Sequence, residues 1–164
     1  MRQNLRTRGF TLLELLIAII IFAVLSAMVS GSFFTSIKKG RDARRITDLE
    51  QVQKSLEMYY EDKRAYPTPT GTYGLYFGQQ LKDDVSNKIY MQKLPNDPVG
   101  SMNYEYSLNG NSYRLYACLE NTQQKLPYTS FTAPSMTCPS TCFYQDGTPA
   151  NRCVWVLSSP DISP

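Results

Sequence analysis

Between Phe10 and Ile37 the chain carries one charged side chain, Glu14. A carboxylate alone in an aliphatic run either snorkels to a polar interface or is matched by a cation, and it marks a functional site by default. Cys118, Cys138, Cys142 and Cys153 form the second chemically capable set. An even number confined to the C-terminal part of the chain suits two disulfides made in an oxidising compartment. A four-thiolate zinc site is the rival, but the spacing lacks paired C-x2-C units. Histidine is absent. That removes Ser-His-Asp and Cys-His catalysis together with the usual zinc ligand. The remaining carboxylates are scattered, so no nucleophile–base pair suggests an enzyme. Net charge is +3, and much of the basic excess precedes residue 46, which is no footprint for a nucleic acid on a domain surface.

Glu14 must be positioned by the stretch around it. From Phe10 to Phe34 every other residue is apolar or small. About 20 helical residues at 1.5 Å each span a hydrocarbon core of roughly 30 Å, so this run is long enough to cross a membrane. A secretory signal peptide is the competing reading, with Val29-Ser30-Gly31 as its cleavage site. Such regions are about 7–15 residues long, and they normally exclude a carboxylate. Glu14 lies just inside a basic end marked by Arg2, Arg6 and Arg8. Lys38, Lys39, Arg41, Arg44 and Arg45 follow the run, so counting charges does not orient it.

Arg8-Gly9-Phe10-Thr11-Leu12-Leu13-Glu14, continued by Leu15-Leu16-Ile17-Ala18, resembles the cleavage and methylation motif of prepilins. That family comprises type IV pilins, type II secretion pseudopilins and competence pseudopilins. The resemblance implies cutting after Gly9 by an inner-membrane prepilin peptidase and N-methylation of the new terminus, Phe10. It implies a structural subunit: single-pass in the cytoplasmic membrane, N-terminus inside and head exported, then a periplasmic or cell-surface filament. The implied partners are the peptidase, other pilin or pseudopilin subunits, and an inner-membrane assembly platform with a motor ATPase. The new α-amine, with pKa about 7.7–8.0 in model compounds, would pair with Glu14 of a neighbouring subunit. Such a pair sets register more than it stabilises, because desolvation offsets much of the attraction. Where many pilins have a helix-bending proline, this chain has Gly31.

Beyond the apolar run, Ile46, Leu49, Val52 (or Gln53), Leu56 and Tyr59/Tyr60 recur at helical steps among polar residues. This predicts an amphipathic continuation of one helix, roughly 10–63, ending before Tyr66-Pro67. The basic cluster Lys38–Arg45 is expected as a solvated or headgroup-contacting face. A short helix is expected near Gln79–Val85. Tyr104–Leu108 and Tyr113–Leu119 alternate around Asn109-Gly110 and predict a β-hairpin, with Cys153–Leu157 as a third strand. Leu94-Pro95-Asn96-Asp97-Pro98 before that hairpin resembles the head of the major pseudopilin.

The expected fold is α+β and pilin-like, a long N-terminal helix packed on a small antiparallel sheet. Its parts are a leader at 1–9, a membrane and polymerisation helix at 10–34, an amphipathic continuation at 35–65 and a disulfide-bonded head at 66–164. Three disulfide connectivities are open; those bridging Cys138 and Cys142 each to a strand cysteine are preferred. The resemblance admits calcium near Asp146-Gly147 or Asp161, yet no metal or cofactor is assigned. An anchored binding module or adhesin outside the main fibre is the alternative function.

Overall fold

Helix α1 covers Leu12–Lys63 and begins where the sequence supplies a cap. The Thr11 carbonyl accepts from the Leu15 N–H at 3.2 Å, and its hydroxyl oxygen accepts from the Glu14 N–H at 3.2 Å. These are the two bonds of an N-cap residue, and Thr-x-x-Glu is the spacing of a capping box. The helix therefore starts two residues later than Phe10, the start expected from apolarity alone. It runs through Gly31 and Gly40. At its other end Arg64 takes φ 55° and donates to the Tyr60 carbonyl at 2.7 Å, a left-handed cap ahead of Tyr66-Pro67.

The computed structural model describes residues 9–69, 75–83, 85–129, 136–150 and 152–160, with the side chains of 28–32 outside that set. Arg2, Arg6, Arg8, Gly71, Gly74 and Asp161 thus lie outside the described residues. Two units divide the chain, Met1–Ile37 and Lys38–Pro164.

In the second unit, strands β1 (Leu81–Lys82) and β2 (Ile89–Met91) pair antiparallel. This replaces the short helix expected at Gln79–Val85. Asp83 is the cause. Its carboxylate accepts from the N–H groups of Val85 and Ser86 and from the Ser86 hydroxyl, which turns the chain at once. Lys63 at the end of α1 reaches the same carboxylate at 2.6 Å. Gly78, φ 84°, approaches so closely that an added Cβ would lie 2.9 Å from the Asn96 side chain.

The hairpin is present as β3 (Glu105–Asn109) and β4 (Ser112–Cys118). Asn109 pairs with Ser112, so the two loop residues are Gly110 and Asn111. Gly110 has φ 60°, which suits the first central position of a type II′ turn. Strand β8 (Val154–Ser158) joins β4 antiparallel and makes it the central strand, in the order β3-β4-β8. A third small sheet contains β5 (Lys125–Leu126), β6 (Cys142–Tyr144) and β7 (Pro149–Ala150), with β5 and β6 parallel.

The main core forms where Leu49, Val52 and Leu56 of α1 meet Tyr104, Tyr106, Tyr113, Leu115 and Ala117. Alternation predicts that Tyr116 and Cys118 face solvent, but both are buried. Tyr128, Met136, Cys138, Val154 and Val156 pack against them there. Disulfides Cys118–Cys138 and Cys142–Cys153 hold the cover down. Each loop cysteine is thus bridged to the end of β4 or the start of β8. Replacing Cys118 and Cys138 together by serine is expected to lower unfolding stability by about 2–4 kcal/mol. Urea titration followed by fluorescence of Trp155, the sole tryptophan, checks this, and an unchanged midpoint would contradict it.

Candidate functional site

The first unit offers a surface rather than a cavity. Phe10 is 84% exposed and Leu12 82%, and the leucines, isoleucines and phenylalanines from Leu13 to Leu25 are exposed on every side of α1. A helix apolar all round belongs in the interior of something larger, and contiguous apolar surface on this scale marks an interaction site. Glu14, in the first helical turn, is the one charge on it. There it favours the positive helix end, a local role that hydropathy alone hides. Gly9 and Phe10 precede the helix and are exposed. Among the described residues, nothing lies within 4 Å of a Cβ added at Gly9, so the fold itself places no demand for glycine there.

Among the described residues no helix is long and apolar enough to cross a membrane. The described side chains from 12 to 27 are apolar apart from Glu14 and Ser26, covering about 24 Å at 1.5 Å per residue, less than a core of roughly 30 Å. The side chains of 28–32, where the sequence stays apolar or small, fall outside the description.

The second unit contains a buried ionic hub that sequence reasoning missed. Arg45, expected on a solvated basic face, is fully buried. Its guanidinium binds Asp97 through Nε and Nη2 at 2.7 and 2.9 Å. It also reaches Asp42 at 2.7 Å and Glu120 at 2.7 Å. Arg41 forks onto Glu120 as well. Asp42 in turn accepts from the backbone N–H groups of Glu120 and Asn121. Lys38, Lys39 and Arg44 are exposed as expected. The available signal was spacing: Arg45 stands four residues before Leu49 and seven before Val52, on the buried stripe. Asp97 belongs to the Leu94–Pro98 segment, and its carboxylate is what ties that segment to the helix.

Burial opposes the charge on Arg45, but the bonds to Asp97 and Glu120 prevail and raise its pKa above the ordinary arginine value. The Arg41 fork, against some desolvation, holds the Glu120 carboxyl below the usual range. The buried tyrosine hydroxyls are also engaged, Tyr104 with Asp48, Tyr106 with the Pro67 carbonyl and Tyr113 with Glu57. Their rings stack and cross at Tyr60–Tyr66, Tyr66–Tyr113 and Tyr106–Tyr113. They pack the sheet. Asp146 spends its carboxylate on Thr148. Among the described residues no group of three or more potential ligands could hold a metal ion.

The first unit leaves an apolar helix surface with a lone acid uncovered, and the described residues of the second form a small sheet domain, features that suit a structural subunit. Comparison with known proteins carries this further. The family described as "Prokaryotic N-terminal methylation motif" matches residues 4–30, and "Type II secretion system (T2SS), protein G" matches 32–124. The type II secretion system core protein G of Escherichia coli is 31% identical over 105 residues, covering 62% of this chain and 72% of that protein. That of Klebsiella pneumoniae is 33% identical over 100 residues, 58% and 71%. That of Pseudomonas aeruginosa is 29% identical over 121 residues, 70% and 84%. No solved structure matches the chain. The chain belongs to the type II secretion system protein G family, structural pseudopilus subunits rather than enzymes. The alternative of an adhesin outside the fibre is not favoured.

Arg45→Ala should destabilise the head by about 3–5 kcal/mol, since it strands buried carboxylates; chemical denaturation checks this, and a loss near zero would contradict it. Glu120 sets a pH dependence. Its carboxyl titrates at about 4.3 when unfolded and lower when folded. Its contribution is complete above the unfolded value and disappears as pH falls through the folded one. Stability measured against pH should show a steeper acid limb for the natural chain than for Glu120→Gln, and identical limbs would count against the hub.

Proposed function

We propose that the precursor is cut between Gly9 and Phe10 by a prepilin peptidase and that Phe10 is then N-methylated. Before assembly the chain sits in the cytoplasmic membrane through the apolar run at 10–34, N-terminus inside and head exported. It then leaves the bilayer by packing its helix against those of other pseudopilins, on an inner-membrane platform driven by a motor ATPase. The observation that carries this reading is the all-round exposed apolar helix, with Glu14 as its single charge.

Two further facts support it. The methylation-motif match at 4–30 includes the proposed junction. Among the described residues the fold makes no demand for glycine at position 9, which supports reading it as a residue recognised by a partner outside the chain. Cleavage would remove three arginines and create an amine two residues before α1. In a low-dielectric fibre core that ammonium and the Glu14 carboxylate of an adjacent subunit neutralise each other, and their geometry fixes how far subunits are displaced along the axis.

Mass analysis of the assembled protein should give a chain beginning at methylated Phe10. A start at Met1 or Ser32 would refute the reading. Glu14→Val should be processed and inserted normally yet form no filaments; normal filaments from that variant would exclude the register role.

A further inference from the structure

A peptide bond inside a helix has its N–H and C=O engaged with other turns. A peptidase that binds its substrate as extended backbone must find those groups free. The Gly9–Phe10 bond meets that condition by a narrow margin. Gly9, Phe10 and Thr11 lie outside regular structure and are exposed, and α1 starts at the next residue, Leu12. One side chain draws the boundary. The Thr11 hydroxyl oxygen accepts from the Glu14 N–H at 3.2 Å while its carbonyl accepts from the Leu15 N–H.

We propose that Thr11 is a positioning residue for processing: by capping α1 it fixes the first helical residue at Leu12 and keeps the Gly9–Phe10 peptide free for the peptidase. The proposal rests on the reading that this bond is the one cut. Without the Thr11 oxygen, the helix loses its N-terminal stop and can start at an earlier capping residue. Gly9 and Thr7 are the preceding residues of capping type in the sequence; a cap at Gly9 would engage the scissile carbonyl itself. A helix capped at Thr7 would hold Gly9 and Phe10 in its first turn, the scissile bond between them. Cleavage leaves Phe10 and Thr11 ahead of Leu12, so the same cap serves precursor and mature chain. Processing then changes the charge next to Glu14 without moving the start of the helix.

The test uses the full-length precursor in phospholipid vesicles with a prepilin peptidase, following cleavage by mass. Thr11→Val keeps the shape of the side chain and removes the cap oxygen; Thr11→Asn changes the shape and keeps a capping oxygen. Cleavage of Thr11→Val and Thr11→Ala should be about fivefold slower, with Thr11→Ser and Thr11→Asn close to the natural rate. Natural rates for Thr11→Val would overturn the proposal. So would Asn and Ser variants as slow as Ala, since the peptidase would then be reading shape. Without peptidase, amide exchange at Leu12 and Leu13 in the precursor should slow in Thr11→Val, because an earlier start gives those N–H groups intrahelical acceptors; unchanged exchange would overturn the cap alone. Failure of the natural precursor to be cut at Gly9–Phe10 would instead overturn the processing reading, and this proposal with it.

Discussion

The aliphatic surface that α1 leaves uncovered constrains the rest of the molecule. Burying a leucine, isoleucine or phenylalanine side chain contributes about 1.5–3 kcal/mol, and most such residues from Phe10 to Leu25 are roughly half exposed or more. A single ion pair in a desolvated setting contributes little net free energy beside that sum. Apolar contact therefore supplies the drive to associate, whether with lipid or with other helices. Contact of that kind is non-directional. Something else must choose one displacement between subunits from many of similar burial. Under the proposed function that choice falls to Glu14, the one charge between Phe10 and Ile37.

The second unit solves a different problem, holding a small sheet to a helix with limited core. Arg45 and its carboxylates fix the 97 and 120 segments onto α1, while the tyrosines fill the space between. The family match ends at residue 124, before β5. Strand β8, which makes β4 central, comes from beyond it, as do three of the four cysteines. The part that differs from the family match thus completes the sheet and shields its second face. Disulfides suit that task because the cover has only short strands and small apolar clusters of its own.

Legibility in the sequence followed the range of the interactions. The end of α1, the hairpin and the strand near Cys153 are signalled by local chemistry, in Tyr66-Pro67, the Gly-containing turn and strict alternation. The prepilin motif is equally local. Arg45 was hidden because a charged residue on a buried stripe looks solvated until its partner, Asp97, is brought up from 52 residues away. The burial of Tyr116 and Cys118 was not legible, because alternation speaks for one covered face and distant residues cover the other. The helix misassigned at 79–85 failed on one residue, Asp83, whose carboxylate turns the chain and binds Lys63. Thr11 was legible as a capping box, but the aliphatic run beside it is the louder signal.

A reconstruction of the assembled filament at side-chain resolution tests the central claim most directly. Each Glu14 carboxylate should lie within about 4 Å of the methylated Phe10 amine of another subunit, inside a helix bundle that excludes water. A filament in which Glu14 faces solvent, or meets only the amine of its own chain, would contradict the account.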